Sequence, residues 1–174
     1  GAGNRELVIN NKSLTLISEQ GAASTIVDFG RTRMMDITSN SVVVLEGLTL
    51  QNAYLNTGGD WHHRSLLEVR DASAVIQRCI FRNNEIVAGQ STTHMSILSV
   101  AKKDNNGSSL KVEHSLFHNN RVIAGGMVFG QIIGNYGHGW QPALNTTVGF
   151  CTFADNEIGL FLHNPLTGAR TSVV

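Results

Sequence analysis

An all-β solenoid is the fold class this chain predicts, and three observations predict it. Phe81, Phe117 and Phe153 each open an F-x-x-N motif, 36 residues apart both times: F-R-N-N, F-H-N-N and F-A-D-N. Each motif follows a run of β-type residues and precedes a charged residue, Glu85, Arg121 or Glu157. A second apolar motif recurs every 31 or 32 residues, as Met34-Met35-Asp36-Ile37, Leu66-Leu67-Glu68-Val69, Ile97-Leu98-Ser99-Val100 and Val128-Phe129-Gly130-Gln131. Self-similarity at a fixed period of this size marks a repeat architecture and outranks any single local assignment.

In chain order, L-T-L-I-S-E-Q-G and S-T-I-V-D-F-G read as one degenerate first turn. V-V-V-L-E-G-L-T-L-Q-N follows from Val42, with Leu50 in the place that Phe takes later. A-V-I-Q-R-C-I-F, L-K-V-E-H-S-L-F and T-V-G-F-C-T-F then lead into the three F-x-x-N motifs. Each period holds about three short strands, and no 3.6-residue periodicity competes. An isolated coil of this kind cannot bury its apolar face, so the coils must stack, about five of them. Three faces per coil and a long, loose period point to a right-handed parallel β-helix.

Alternation along each strand fixes what points inward. Leu45, Leu48 and Leu50 align with Ile76, Cys79 and Phe81, then Val112, Ser115 and Phe117, then Val148, Cys151 and Phe153. The phase breaks at Glu46-Gly47, Gln77-Arg78 and Glu113-His114, which implies a bend, and Phe in one rung place predicts an interior ladder. Asn83, Asn119 and Asp155, then Asn84, Asn120 and Asn156, predict polar ladders at a turn, because Asn tolerates left-handed backbone and its amide reaches the next coil. Cys79 and Cys151 share a rung place two coils apart, roughly 9.6 Å at the strand spacing, so two buried free thiols are expected. Glu85, Arg121 and Glu157 are expected to alternate in charge on adjacent rungs.

The 174 residues make one domain, 1–174, with 13 basic and 13 acidic side chains and only 15% charged residues. No basic stripe invites nucleic acid. No apolar run approaches the roughly 20 residues a membrane-spanning helix needs. The chain opens at G-A-G-N-R and closes at S-V-V in strand-like sequence, and it reads as a fragment or processed piece of something longer. N-x-S/T sequons at Asn11, Asn106 and Asn145 favour an extracellular or cell-surface setting and are the candidate glycosylation sites.

F-x-x-N followed by R-V-I-A-G-G-M-V (Arg121 to Val128) resembles the F-x-x-N/G-G-A-I repeats of the polymorphic outer-membrane proteins of chlamydiae. The resemblance runs from about residue 34 to 164 and is clearest at Phe117, Asn120, Gly125 and Gly126, while Gly89-Gln90 and Gly159-Leu160 depart from the double Gly. In that family the repeats build the passenger stalk of a surface adhesin. The resemblance therefore implies a non-enzymatic module acting as spacer, adhesin or assembly component.

Many parallel β-helices, the pectate-lyase-like ones among them, are polysaccharide lyases or hydrolases, and carboxylates on neighbouring coils would be the residues for such chemistry. Asp36 and Glu68 fall on equivalent outward places of adjacent rungs, about 5 Å apart, a separation that suits a retaining glycosidase pair. The next rungs offer Ser99 and Gly130, with no third acid and no aligned base. All Trp and Tyr residues fall in two insertions, Tyr54 to Arg64 and Gly134 to Pro142. Tyr54, Trp61, His62, Arg64, Tyr136, His138 and Trp140 are thus the candidates for stacking on a glycan or a protein partner. Neither His62-His63 nor the pair His114 and His118 brings together three ligands, so no metal site or cofactor is expected.

Overall fold

The computed structural model describes residues 5–57, 64–88, 93–102, 107–124, 128–137, 144–157 and 170–173. The first coil holds β1 (Leu7–Asn10), β2 (Ser13–Ile17) and β3 (Ile26–Asp28). The second holds β4 (Met35–Thr38), β5 (Val42–Glu46), β6 (Thr49–Gln51) and β7 (Tyr54–Asn56). The third holds β8 (Arg64–Arg70), β9 (Ser73–Gln77), β10 (Ile80–Arg82) and β11 (Glu85–Ala88). The fourth holds β12 (Thr93–Lys102), β13 (Ser108–Glu113), β14 (Leu116–His118) and β15 (Arg121–Ala124). β16 (Val128–Gly137), β17 (Leu144–Gly149) and β18 (Thr152–Ala154) follow, and β19 (Arg170–Val173) lies beyond them.

Every pairing among these strands is parallel and joins equivalent strands of neighbouring coils, in the orders β1-β4-β8-β12-β16, β2-β5-β9-β13-β17-β19, β3-β6-β10-β14-β18 and β7-β11-β15. The chain is an all-β parallel solenoid of about four turns, not the five expected. The difference lies at the ends. Among the described residues the first coil has no strand beside β7, and the coil of β16 to β18 reaches that sheet only through the bridge Arg121↔Glu157.

Side chains repeat along the axis because the strands pair in register. Leu45, Ile76, Val112 and Val148 stack as one buried column. Val27, Leu50, Phe81, Phe117 and Phe153 form another. The three Phe rings lie nearly parallel, with centroids 4.9 and 5.0 Å apart, which is the strand spacing itself. Burying rings of this size against neighbours above and below is the main driving force for stacking the coils.

One part of the expected register is corrected. Ile132-Ile133-Gly134-Asn135, not Val128-Phe129-Gly130-Gln131, lies on Ile97 to Val100: Leu98 opposes Ile133, Ser99 opposes Gly134, and Gly130 opposes Met95. The connection from the first sheet to the second lengthens from two residues after β8 to five after β12. That insertion pushes the next apolar pair to a 35-residue spacing, so a 31-residue extrapolation lands four residues early.

Candidate functional site

Two corners of each coil are turned by residues with left-handed backbone. At the corner after the third-sheet strands they are Asn52, Asn83, Asn119 and Asp155, with φ of 57°, 56°, 52° and 53°. Asn and Asp accept this conformation at little cost. The residue that follows points inward: Ala53, Asn84, Asn120 and Asn156. Asn120 Nδ2 donates to Phe81 O and to Asn156 Oδ1, both at 2.9 Å, and Asn120 Oδ1 accepts from Asn84 N (3.2 Å) and Nδ2 (2.9 Å). The expected ladder is thus an interior one. Outside it, Asn119 Nδ2 donates to Asn83 Oδ1 at 2.7 Å, and Arg121 bridges Glu85 (3.4 Å) and Glu157 (2.7 Å) as the charge alternation required.

At the other corner the same backbone is imposed on Gly47, Arg78, His114 and Phe150, with φ of 66°, 53°, 48° and 53°. Their N–H groups keep the inter-coil ladder, Arg78 N donating to Glu113 O and His114 N to Gly149 O, both at 3.1 Å. Glycine suits the position; a bulky ring does not, and residues in this region store on the order of 1–3 kcal/mol of strain. Phe150 is also 66% exposed, and its ring stacks on His114 at 4.9 Å and 5°. Beside this column runs a groove of about 460 Å³ lined by Ile80, Leu116 and Thr152, with Arg78, His114 and Phe150 as one wall and Ala22 at its end. Arg78 is held by the Glu46 carboxylate, whose protonation its hydrogen bond opposes, drawing Glu46 below its ordinary value.

Behind that wall the inward column is Leu48, Cys79, Ser115 and Cys151. Both cysteines are free, as the spacing required, although Cys151 is only half-buried because it sits on the last of these rungs. Burial pushes both thiols up from their ordinary value.

The sequence candidates fall elsewhere. Asp36 and Glu68 are register partners on adjacent strands. Arg33 grips Asp36 with both terminal nitrogens (3.1 and 2.7 Å) and Arg70 lies 3.4 Å from Glu68, so each acid has an arginine partner nearby. The rungs beyond carry Ser99 and Gly134, and Ser99 Oγ is buried against Ser65 Oγ at 2.7 Å. Among the described residues no three His, Cys, Asp or Glu converge as metal ligands, and no helix is long and apolar enough to cross a membrane.

Tyr136 does not stand in an exposed loop. It belongs to β16, is 3% exposed, and donates its hydroxyl to Gln131 Oε1 at 3.0 Å. Its ring folds back over Gly134, where a Cβ would lie 2.5 Å from the Tyr136 ring carbon and oxygen and would force the ring to shift. Burial, with the Glu68 carboxylate adding to it, raises the phenol well above its ordinary value. Tyr54 likewise lies in a strand, β7, with the Arg31 guanidinium 4.2 Å over its ring. Arg64 begins β8, but its side chain, together with Trp61, His62, His138 and Trp140, lies outside the described residues. Asn11 is exposed in a turn, Asn145 is exposed within β17, and Asn106 lies outside the described residues.

Sequence reasoning located the bend at Arg78 and His114 but missed the exposed wall it makes. The signal was present: in the aligned repeats Arg, His and Phe occupy the place of Gly47. Fold and geometry together define the chain as a parallel β-solenoid with a strained outer corner beside a groove. No protein-family model, curated protein or solved structure matches the chain.

Proposed function

We propose that the chain is a non-enzymatic extracellular or cell-surface β-solenoid module, a rigid shaft that acts as spacer, adhesin or assembly component through contacts on its outer surface. The observation that carries this reading is the Phe150–His114 stack. A large ring held in a left-handed conformation and left 66% exposed costs stability twice, and strain of that kind accumulates where a surface is used. The ring also lines the open groove that runs beside it. The resemblance of F-x-x-N to adhesin-stalk repeats points the same way, and the exposed Asn11 and Asn145 sequons suit a secretory setting.

The rival reading, a polysaccharide lyase or hydrolase working through Asp36 and Glu68, is opposed by the arginines already paired with both acids. Incubation with acidic and neutral polysaccharides, followed by reducing-end and unsaturated-product assays, decides between them. The expected result is no turnover. Turnover abolished by Asp36→Asn would sink the non-enzymatic reading.

A further inference from the structure

We infer that Ser96 and Gln131 hold one buried water molecule between β12 and β16, and that this water fastens the two strands side chain to side chain. Ser96 and Gln131 are register partners on adjacent strands of the first sheet, and both are fully buried. Ser96 Oγ and Gln131 Nε2 are sealed from solvent and have no hydrogen-bond partner among the described residues. Buried polar atoms of a native fold are nearly all hydrogen-bonded, and an orphan costs its full desolvation. Two orphans on one register pair point to a shared partner.

The surrounding contacts leave no simpler pairing. The other amide atom, Gln131 Oε1, already accepts from the Tyr136 hydroxyl at 3.0 Å, across five residues of β16. That contact closes over Gly134, where a Cβ would lie 2.5 Å from both Gln131 Oε1 and the Tyr136 hydroxyl oxygen. Turning the amide over would set Nε2 against the phenol and strand Oε1 in its stead, so one amide atom is orphaned either way. Ser65 Oγ and Ser99 Oγ satisfy each other at 2.7 Å, so neither is left over for Ser96. Burial raises the Tyr136 phenol, while Ser96 draws it down and the Glu68 carboxylate pushes it up. Ser96 thus lies beside that hydroxyl, although without hydrogen-bond geometry.

The chemistry of the occupant follows. With Oε1 taken by the phenol, the amide offers only protons, and a metal cation gains nothing from them. The Glu68 carboxylate is felt at the Tyr136 hydroxyl, and its charge opposes an anion. A small neutral molecule that accepts from Nε2 and donates to a hydroxyl oxygen meets both conditions, and water is that molecule. Ser96 Oγ and Gln131 Nε2, with the Tyr136 hydroxyl beside them, give it the about three polar neighbours that a buried water typically has. At the Asn corner, Asn84, Asn120 and Asn156 bond directly from coil to coil. Ser96 and Gln131 make no such direct bond, and the water performs the same task between β12 and β16.

A crystal structure of the whole chain, at a resolution that shows ordered solvent, tests the site directly. One solvent peak is expected within hydrogen-bond distance of both Ser96 Oγ and Gln131 Nε2, without anomalous signal after a rubidium bromide soak. No peak, a direct hydrogen bond from Ser96 to Gln131 or Tyr136, or an anomalous signal that marks an ion overturns the inference. Oxygen-17 relaxation dispersion of the solvent supplies a second measurement. Ser96→Ala combined with Gln131→Met removes both orphans and should lose one long-lived water relative to the parent chain. Asn119→Ala, at an exposed position, should lose none. Equal counts in the parent and the double variant overturn the inference as well, and should the double variant not fold, the parent crystal decides alone.

Discussion

Two of the left-handed corners, those before and after the third-sheet strands, do the same geometric task with different chemistry. Asn52, Asn83, Asn119 and Asp155 are residue types that the conformation suits, and the Asn ladder behind them ties each coil to the next through side-chain amides. Gly47 turns the same angle at no cost, but on the later coils Arg78, His114 and Phe150 turn it with residues it penalises. Behind them lie two thiols, which donate only weakly to carbonyls, such as Cys79 Sγ to Gln77 O at 3.3 Å, and one hydroxyl, Ser115, which accepts from Cys79 N at 3.2 Å. One corner fastens the stack through side-chain amides, and the other keeps only its backbone ladder and one hydroxyl while presenting a wall to solvent. The difference teaches where to look on a repeat protein: at the corner whose residues the fold itself does not favour.

The largest effect should come from cutting the fastening. Asn120→Ala removes two donations and two acceptances in the interior and strands the Asn84 amide, a loss of about 2–4 kcal/mol by the cost of unsatisfied buried groups. Its neighbour Asn119 is exposed, and Asn119→Ala should cost only about 1 kcal/mol, mostly for losing the short polar side chain that lets Asn tolerate the left-handed region. Urea unfolding midpoints of the two variants test this, and equal losses would break the distinction between fastening and turning. In the opposite direction, Phe150→Asn gives the strained corner the residue of the other corner. It should stabilise the chain by about 1 kcal/mol, seen as a higher melting temperature. A lower melting temperature would show that the ring contributes more through its stack on His114 than it loses to strain.

The fastening corner was legible in the sequence because each side chain there repeats at one spacing: Phe81, Phe117 and Phe153 with Asn84, Asn120 and Asn156 set the register to the residue. The adjacency of Asp36 and Glu68 was legible for the same reason. What lay beyond reading was the register of the first-sheet strand β16, which follows a change in loop length. V-F-G-Q and I-I-G-N both present two apolar residues, a glycine and a polar residue, and only the five-residue connection after β12 decides between them. Tyr136 was misplaced for a related cause, since its fold-back onto Gln131 depends on Gly134 opposing Ser99 across the sheet. The strained wall was hidden differently. Arg78, His114 and Phe150 share a column but no residue type, and exposure becomes visible only when the coils are stacked.

A smaller effect should separate the corners by pH. The thiols of Cys79 and Cys151 are raised by burial, so the folded chain holds their protons more tightly than the unfolded chain. The stability they contribute is whole below the ordinary thiol value of 9.0 and is lost as pH climbs from there through the folded value. Cys79→Ala should therefore flatten the alkaline decline of the unfolding midpoint between the parent and variant chains. Tyr136 contributes a further decline of the same sign, starting above the ordinary phenol value, and it should persist in Cys79→Ala. An unchanged slope in the variant would place the alkaline sensitivity in Cys151 or Tyr136 rather than in Cys79.

The smallest effect belongs to the charges outside the Asn ladder. Arg121 sits between Glu85 and Glu157 at 3.4 and 2.7 Å, and the Glu157 carboxylate holds its guanidinium above the ordinary value. All three groups are accessible to water, which screens the attraction, and the long side chains lose rotamer freedom in making it. Glu157→Gln should accordingly shift the unfolding midpoint far less than Asn120→Ala, and the shift should vanish when salt is raised. If it matched the loss from Asn120→Ala, or survived high salt, the fastening would lie in the outer charges as much as in the amides. The corners would then differ in their surfaces and not in their interiors.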